Sequence, residues 1–207
     1  MRRLWAFIVF MSASVMVLAN HWEPNPNQFS DNMNVIGVIE INGVEQTHDV
    51  LELGAFCDNE CRGSEILEYY EGLDRYMVFM TLYGQSGHVL SFRLYDHSTQ
   101  QELELTPQEP LQFVPNAIVG TIHEPYVFSF SGGMCMVMAS VVPEEGGSTS
   151  GSGAYWIGET CTLCAMSNPG FIFVEWQENG LTVSTDSILT LWVTTDHELE
   201  AYFTTNM

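Results

Sequence analysis

The chain has 207 residues, with 26 Asp and Glu against 5 Arg and no Lys, for a formal net charge of -21. That balance excludes a nucleic-acid binder, which needs clustered Lys and Arg to neutralise phosphates, and a polybasic membrane-surface module. With 46% hydrophobic and 12% aromatic residues, the chain still carries enough apolar surface for a buried core, so its acidity does not signal disorder.

Arg2 and Arg3 precede an apolar run from Leu4 to Leu18, and Val17-Leu18-Ala19 supplies small residues at a cleavage point. This pattern predicts a secretory signal over residues 1–19, cut after Ala19. Fifteen residues at about 1.5 Å each fall short of the roughly 30 Å needed to span a bilayer. Processing removes two Arg and no acid, which leaves 3 Arg against 26 acids, a net of -23. No later apolar stretch approaches spanning length, so the mature chain is expected not to cross a membrane.

Residues 20–34, rich in Asn and Pro, read as an extended lead-in. Strands follow. Val35–Ile41 is β-branched and ends at Asn42-Gly43, a hairpin signal. Val50–Phe56 alternates Leu51, Leu53 and Ala55, then meets the loop Cys57-Asp58-Asn59-Glu60-Cys61. Ile66–Tyr70 reads as a short strand. Tyr76–Tyr83 is apolar on both faces, which predicts a strand packed on two sides. Val89–Tyr95 points Leu90, Phe92 and Leu94 inward and Ser91 and Arg93 outward. Glu102–Leu105, Leu111–Val114 and Tyr126–Phe130 complete a run of short strands whose spacing argues for an antiparallel β-sandwich over residues 35–132.

Ser131-Gly132-Gly133 marks a boundary. Beyond it, Cys135–Val142, Thr160–Ala165, Phe171–Trp176, Ile188–Val193 and Leu199–Phe203 read as strands of a second domain, residues 133–207. Pro143–Gly153 reads as the turn of a hairpin, and Glu178-Asn179-Gly180 as another tight turn. No segment shows a helical period.

Export would place Cys57, Cys61, Cys135, Cys161 and Cys164 where disulfides persist. Cys57 and Cys61 flank a tight loop, and Cys135 and Cys161 each fall on an apolar strand face, so these are the pairings the spacing admits; the odd count leaves one thiol over. Cys161 and Cys164 lie three apart in a strand, face opposite ways, and should not pair. The C-x2-C pair has no second half of a zinc motif. For Cys135, Cys161 and Cys164 the favoured reading is that of buried small hydrophobes.

Residues about 134–203 resemble the divergent internalin B-type (Listeria-Bacteroides) repeat. The resemblance runs through Ala139-Ser140-Val141-Val142-Pro143-Glu144-Glu145-Gly146-Gly147, Gly158-Glu159-Thr160 and Asn168-Pro169-Gly170-Phe171-Ile172-Phe173-Val174-Glu175-Trp176. It closes with Glu178-Asn179-Gly180, Ser184-Thr185-Asp186 and Leu199-Glu200-Ala201-Tyr202-Phe203. It implies a small β-grasp-like surface module without enzymatic activity. Residues about 21–130 resemble an N-terminal β-sandwich module of exported bacterial (Bacteroidetes-type) surface proteins. The segments that carry this are Leu53-Gly54-Ala55-Phe56-Cys57-Asp58-Asn59-Glu60-Cys61-Arg62-Gly63, Leu82-Tyr83-Gly84 and Phe92-Arg93-Leu94-Tyr95-Asp96. This second resemblance implies an architecture and an envelope location, and transfers no catalytic residue.

Three places deserve a functional reading. Asp58, Glu60 and Arg62 cluster at one loop and suit a polar ligand or cation, although calcium wants six or more oxygens and only two acids lie here; a Glu60–Arg62 pair that fixes the turn is the favoured reading. Trp156 is expected to be exposed, because Tyr155 beside it must face the other way in a strand, and Trp176 is expected in the core. The six His are scattered without a metal spacing, and no nucleophile elbow occurs. Together these features predict an all-β protein, secreted or at the outer cell surface, that acts as a binding or adhesion module for a protein or glycan, without catalysis, metal or cofactor. A structural spacer or accessory subunit of an envelope assembly is the second reading, and a glycan-acting hydrolase the third.

Overall fold

In a computed structural model of the protein, residues 19–103, 106–107 and 109–206 are described. The expected signal sequence lies outside them except for Ala19. The strands are β1 (Asp31–Ile41), β2 (Val44–Glu45), β3 (Leu51–Cys57), β4 (Glu60–Ile66), β5 (Glu68–Tyr70), β6 (Arg75–Gly84), β7 (Val89–Asp96), β8 (Gln101–Glu102), β9 (Thr106–Pro107) and β10 (Leu111–Gln112). They continue with β11 (Ile118–Val119), β12 (Tyr126–Ser131), β13 (Met134–Val142), β14 (Gly147–Ser150), β15 (Gly153–Trp156), β16 (Thr160–Ser167), β17 (Phe171–Glu178), β18 (Leu181–Ser184), β19 (Ile188–Trp192) and β20 (His197–Thr205). The fold is all-β; among the described residues only three short 3-10 turns interrupt the strands, and no helix is long and apolar enough to cross a membrane.

Two apolar cores form. In the first, a sheet ordered β5-β6-β1-β12-β9, with β2 and β11 on β1, faces a sheet ordered β10-β7-β3-β4 with β8 on β7. Alternate residues of each strand turn inward: Met33 and Val35, Leu51, Leu53 and Ala55, Val78, Met80 and Leu82, and Leu90, Phe92 and Leu94 are all buried. In the second core, a sheet ordered β15-β13-β20-β17-β18 is closed by the three-stranded sheet β14-β16-β19. Trp176, fully buried, is its largest side chain, and Cys135, Val137, Cys161 and Leu163 pack with it.

The hairpin signals are borne out. Asn42-Gly43 and Asn179-Gly180 both take positive φ at each residue, as a type I′ turn requires. Four expectations need amendment. The sandwich is not purely antiparallel, since β1 pairs with β11 and with β12 in parallel; in the second domain β13 pairs with β20 in parallel as well. The two faces of β6 are unequal: Val78, Met80 and Leu82 are buried on one, whereas on the other Met77 is buried but Phe79 is 37% exposed. The Gly/Ser stretch after Pro143 is more than a turn, for it contains β14, which leaves the sheet of β13 and pairs with β16 across the core. Finally, the lead-in is part of the fold. Every residue of β3 is buried on both faces, and the outward-facing Glu52, Gly54 and Phe56 are covered by residues 20–22.

The two cores meet at an interface built from side chains distant in sequence. Ile157 packs against both, and Trp192, from the second half, packs against the first core. Trp192 Nε1 donates to Gln46 Oε1 at 3.0 Å, and its ring stacks on His48 with centroids 4.5 Å apart. Asn42 Nδ2 donates to the Ile157 carbonyl at 3.2 Å, while Asn42 Oδ1 accepts from Gly132 N at 3.1 Å. Gly158, at φ +92°, lets this junction close, because a Cβ there would sit 3.0 Å from Ile41 Cβ and 3.1 Å from Gln46 Nε2.

Candidate functional site

The loop at Cys57–Cys61 is a two-residue hairpin turn. Asp58 and Asn59 both adopt positive φ, and Cys57 pairs directly with Glu60. Side chains directly opposite in an antiparallel pair share a face, so Cys57 points with Glu60, and Cys61, opposite Phe56, points the other way. A Cys57–Cys61 disulfide is therefore excluded by the pleat. Cys135 and Cys161 do share the second core, but they stand on different sheets, Cys161 Sγ is 3.6 Å from the Gly151 carbonyl, and neither is bonded. All five cysteines are free thiols. Burial pushes the Cys61 and Cys135 thiols above their ordinary pKa.

Glu60 and Arg62 form the ion pair at 2.9 Å. The Arg62 guanidinium also lies 4.0 Å from the ring centroid of Phe29 in the lead-in, and the residue is 4% exposed. Asp58 is exposed at the turn tip, 3.8 Å from Cys57 Sγ. Arg93 bonds Asn59 Oδ1 at 2.7 Å and lies over Phe56. Glu60 thus takes the Arg62 charge, while Asp58 stays in solvent and, among the described residues, Arg62 Nε and Nη1 have no hydrogen-bond partner. Among the described residues no group of three His, Cys, Asp or Glu side chains is placed to hold a metal ion.

Sequence reasoning missed two buried carboxylates. Asp96, with no exposure, accepts from Ser98 N at 2.8 Å, Ser98 Oγ at 2.5 Å, Thr99 Oγ1 at 2.9 Å and, across the interface, Thr194 Oγ1 at 2.9 Å. Glu52, also with no exposure, accepts from His21 N at 2.6 Å, Trp22 N at 3.0 Å and Ser64 Oγ, and bonds His97 Nε2 at 2.8 Å. The signal available for Asp96 was its Asp-x-Ser-Thr context, which favours a carboxylate capping its own turn. No local signal marks Glu52, because its partners lie 12 to 45 residues away, on both sides of it in the chain.

Trp156 is 45% exposed at the end of the edge strand β15, while Tyr155 turns inward and donates to the Gly151 carbonyl at 2.5 Å. Trp156 sits directly opposite Met134, and Met136 and Met138 continue the same face of β13, each about half exposed. Further across this face, Met138 is paired with Glu198 and Ser140 with Glu200. A shallow cleft of about 460 Å³ opens there, between Met138, Ser140, Glu198 and Glu200. The face thus joins a thioether and indole surface to a row of carboxylates. Glu175, opposite Tyr202, extends the row, and its carboxyl is held below the ordinary range by bonds from Thr182 and Gln177.

A second opening, of about 430 Å³, lies at the junction of the two cores between Val44–His48 and Tyr155–Thr160. His48 borders it; burial lowers its imidazole pKa, against the opposing pull of Asp49 and Asp96.

No curated protein matches this sequence. Residues 137–207, which hold most of β13 and all later strands, and of the Met-lined face Met138 and Trp156, match the family model of the divergent InlB B-repeat domain, so this part of the chain is similar to that family.

Proposed function

We propose that the protein is a non-catalytic binding module of the cell exterior, and that its recognition surface is the outer face formed by Met134, Met136, Met138 and Trp156. The observation that carries this reading is the set of four large apolar side chains exposed together on one sheet face. Contiguous apolar surface of this kind marks interaction sites, and methionine adapts its shape to partners. The repeat-like match over residues 137–207 and the expected signal sequence support an exported surface location. The resemblance of residues 21–130 to a module of exported bacterial proteins agrees with it. A catalytic role draws no support from the buried carboxylates, since Glu52 and Asp96 are both saturated by structural hydrogen bonds.

The partner is a protein that presents basic groups beside apolar ones. Glu198 and Glu200 flank the methionines, and no Lys or Arg occurs after Arg93, so complementary charge steers basic surfaces to this face. A sugar would find one stacking ring here, whereas an apolar peptide side chain finds four neighbours.

Selection from a phage-displayed 12-residue peptide library tests the reading. Enriched peptides should combine Arg or Lys with Leu, Phe or Trp, and should lose binding to Met136→Ser and Trp156→Ala variants with unchanged melting temperature. Enrichment indifferent to both substitutions would overturn the assignment of the face. A glycan-array signal lost in Trp156→Ala but retained in Met136→Ser would transfer it to a sugar.

A further inference from the structure

The outer face of β4-β3-β7 carries features that the sheet itself does not need. Glu52 stands in the middle strand with its carboxylate fully buried and, among the described residues, no Arg beside it. A carboxylate removed from water is costly unless fully hydrogen-bonded, and two of its four partners are the consecutive backbone N–H groups of His21 and Trp22. Gly54, two residues along the same face, is not in the left-handed region, so backbone geometry does not require glycine. A side chain there would stand 2.5 Å from Trp22 Cε3 and 2.8 Å from Cζ3, so the glycine clears a seat for the indole. Tyr95, beside Glu52 on β7, takes the His21 ring flat against its own at 3.7 Å and 4°. Phe56 meets the edge of Trp22 at 5.3 Å. Asn20 Nδ2 donates to the Ser64 carbonyl at 3.1 Å.

Beyond Trp22 the chain is mostly exposed as far as Gln28, and Ala19 on the other side is exposed as well. The held segment is therefore three residues long, with His21 stacked on Tyr95 while still exposed, and is followed by solvated chain, which is the layout of a bound peptide rather than of a sheet strand. We propose that the outer face of β4-β3-β7 is a peptide-binding site that the protein fills in cis with Asn20–Trp22. It recognises a bent Asn-His-Trp segment by two successive N–H groups at Glu52, a ring on Tyr95 and an indole in the Gly54 seat. The site lies apart from the Met-lined face and does not depend on it.

The test separates binding from covalent connection. A specific protease sequence is placed over Pro26–Gln28, the folded full chain is nicked there, and gel filtration with mass spectrometry follows the released N-terminal peptide. The expected result is co-elution of the peptide with the body, its loss from nicked Glu52→Gln and Gly54→Leu variants, and its displacement by synthetic Asn-His-Trp-Glu-Pro-Asn but not by the reordered Trp-Asn-His-Glu-Pro-Asn. Loss of the peptide from the unmutated nicked chain, or equal displacement by both synthetic peptides, would overturn the proposal. Concentration-dependent dimerisation of the intact chain that Glu52→Gln abolishes would overturn the cis occupancy. Because displacement is read on the unmutated body, it stays informative even where a variant folds poorly.

Discussion

Thr194 Oγ1 donates to Asp96 Oδ2 at 2.9 Å in a buried hydrogen bond between residues 98 positions apart. It joins the end of β7 to the loop after β19, and with the Trp192–Gln46 bond it ties the two cores together. Hydrogen bonds to charged groups contribute roughly 1.5–3 kcal/mol. Thr194→Val, which keeps shape and removes the donor, should lower the urea-unfolding free energy by about that amount. A loss below roughly 0.5 kcal/mol, the scale of an ordinary surface change, would mean that Thr99 and Ser98 alone suffice for Asp96.

Gly158→Ala should open the same junction. The position sits at φ +92°, and the added methyl would press on Ile41 and Gln46. A left-handed non-glycine residue costs about 1–3 kcal/mol. The expected outcome is a lower melting temperature together with increased solvent exposure of Trp192, read by a red shift of its fluorescence. An unchanged melting temperature would show that the junction yields freely.

His48 gives the junction a pH dependence of predictable sign. Burial lowers its folded pKa below the ordinary 6.5, so the unfolded chain takes up the proton first as pH falls. Its contribution is intact above pH 6.5 and is lost progressively below it, as pH falls through the folded pKa. In thermal melts between pH 7.5 and pH 5, His48→Leu should flatten the decline of melting temperature relative to the parent. Parallel curves would assign the decline to other groups.

The cysteines should behave as weakly reactive thiols, three of them buried and Cys61 and Cys164 half-buried. With burial raising the Cys61 and Cys135 pKa, little thiolate forms near neutral pH. A disulfide-exchange reagent should label the native chain slowly, and should count all five thiols once concentrated urea exposes them. A count of three or one in urea without reductant would reveal disulfides that the strand geometry opposes.

Much of this architecture is legible in the sequence because it is local. Alternation in Val89–Tyr95 gave the inward and outward residues of β7, and Asn-Gly pairs gave two hairpin turns, since φ above zero at both positions suits few other residues. The same alternation rule placed Trp156 outside and Tyr155 inside. What it could not supply is register and long-range docking. The pairing of Cys61 with Phe56 depends on a bulge between Ala55 and Phe56, invisible in a string of residues, and it decides that Cys57 and Cys61 face apart. Glu52 was equally silent: its alternation predicts an exposed side chain, and only the arrival of His21 and Trp22 over that face buries it. Met134, Met136 and Met138 read as one strand face, but their meeting with Trp156 needs the β13–β15 pairing.

The parallel pairing of first and last strands recurs in both halves: Gly37–Ile41 lie along Tyr126–Phe130, and Val137–Val142 along His197–Tyr202. In such a pair the chain enters at one pole and leaves at the opposite one. Tension between the ends of either half drags the two strands past each other lengthwise, so their cross-strand bonds carry the load together instead of opening one by one from an end. A protein fixed at one end and pulled at the other would meet that force with its strongest direction.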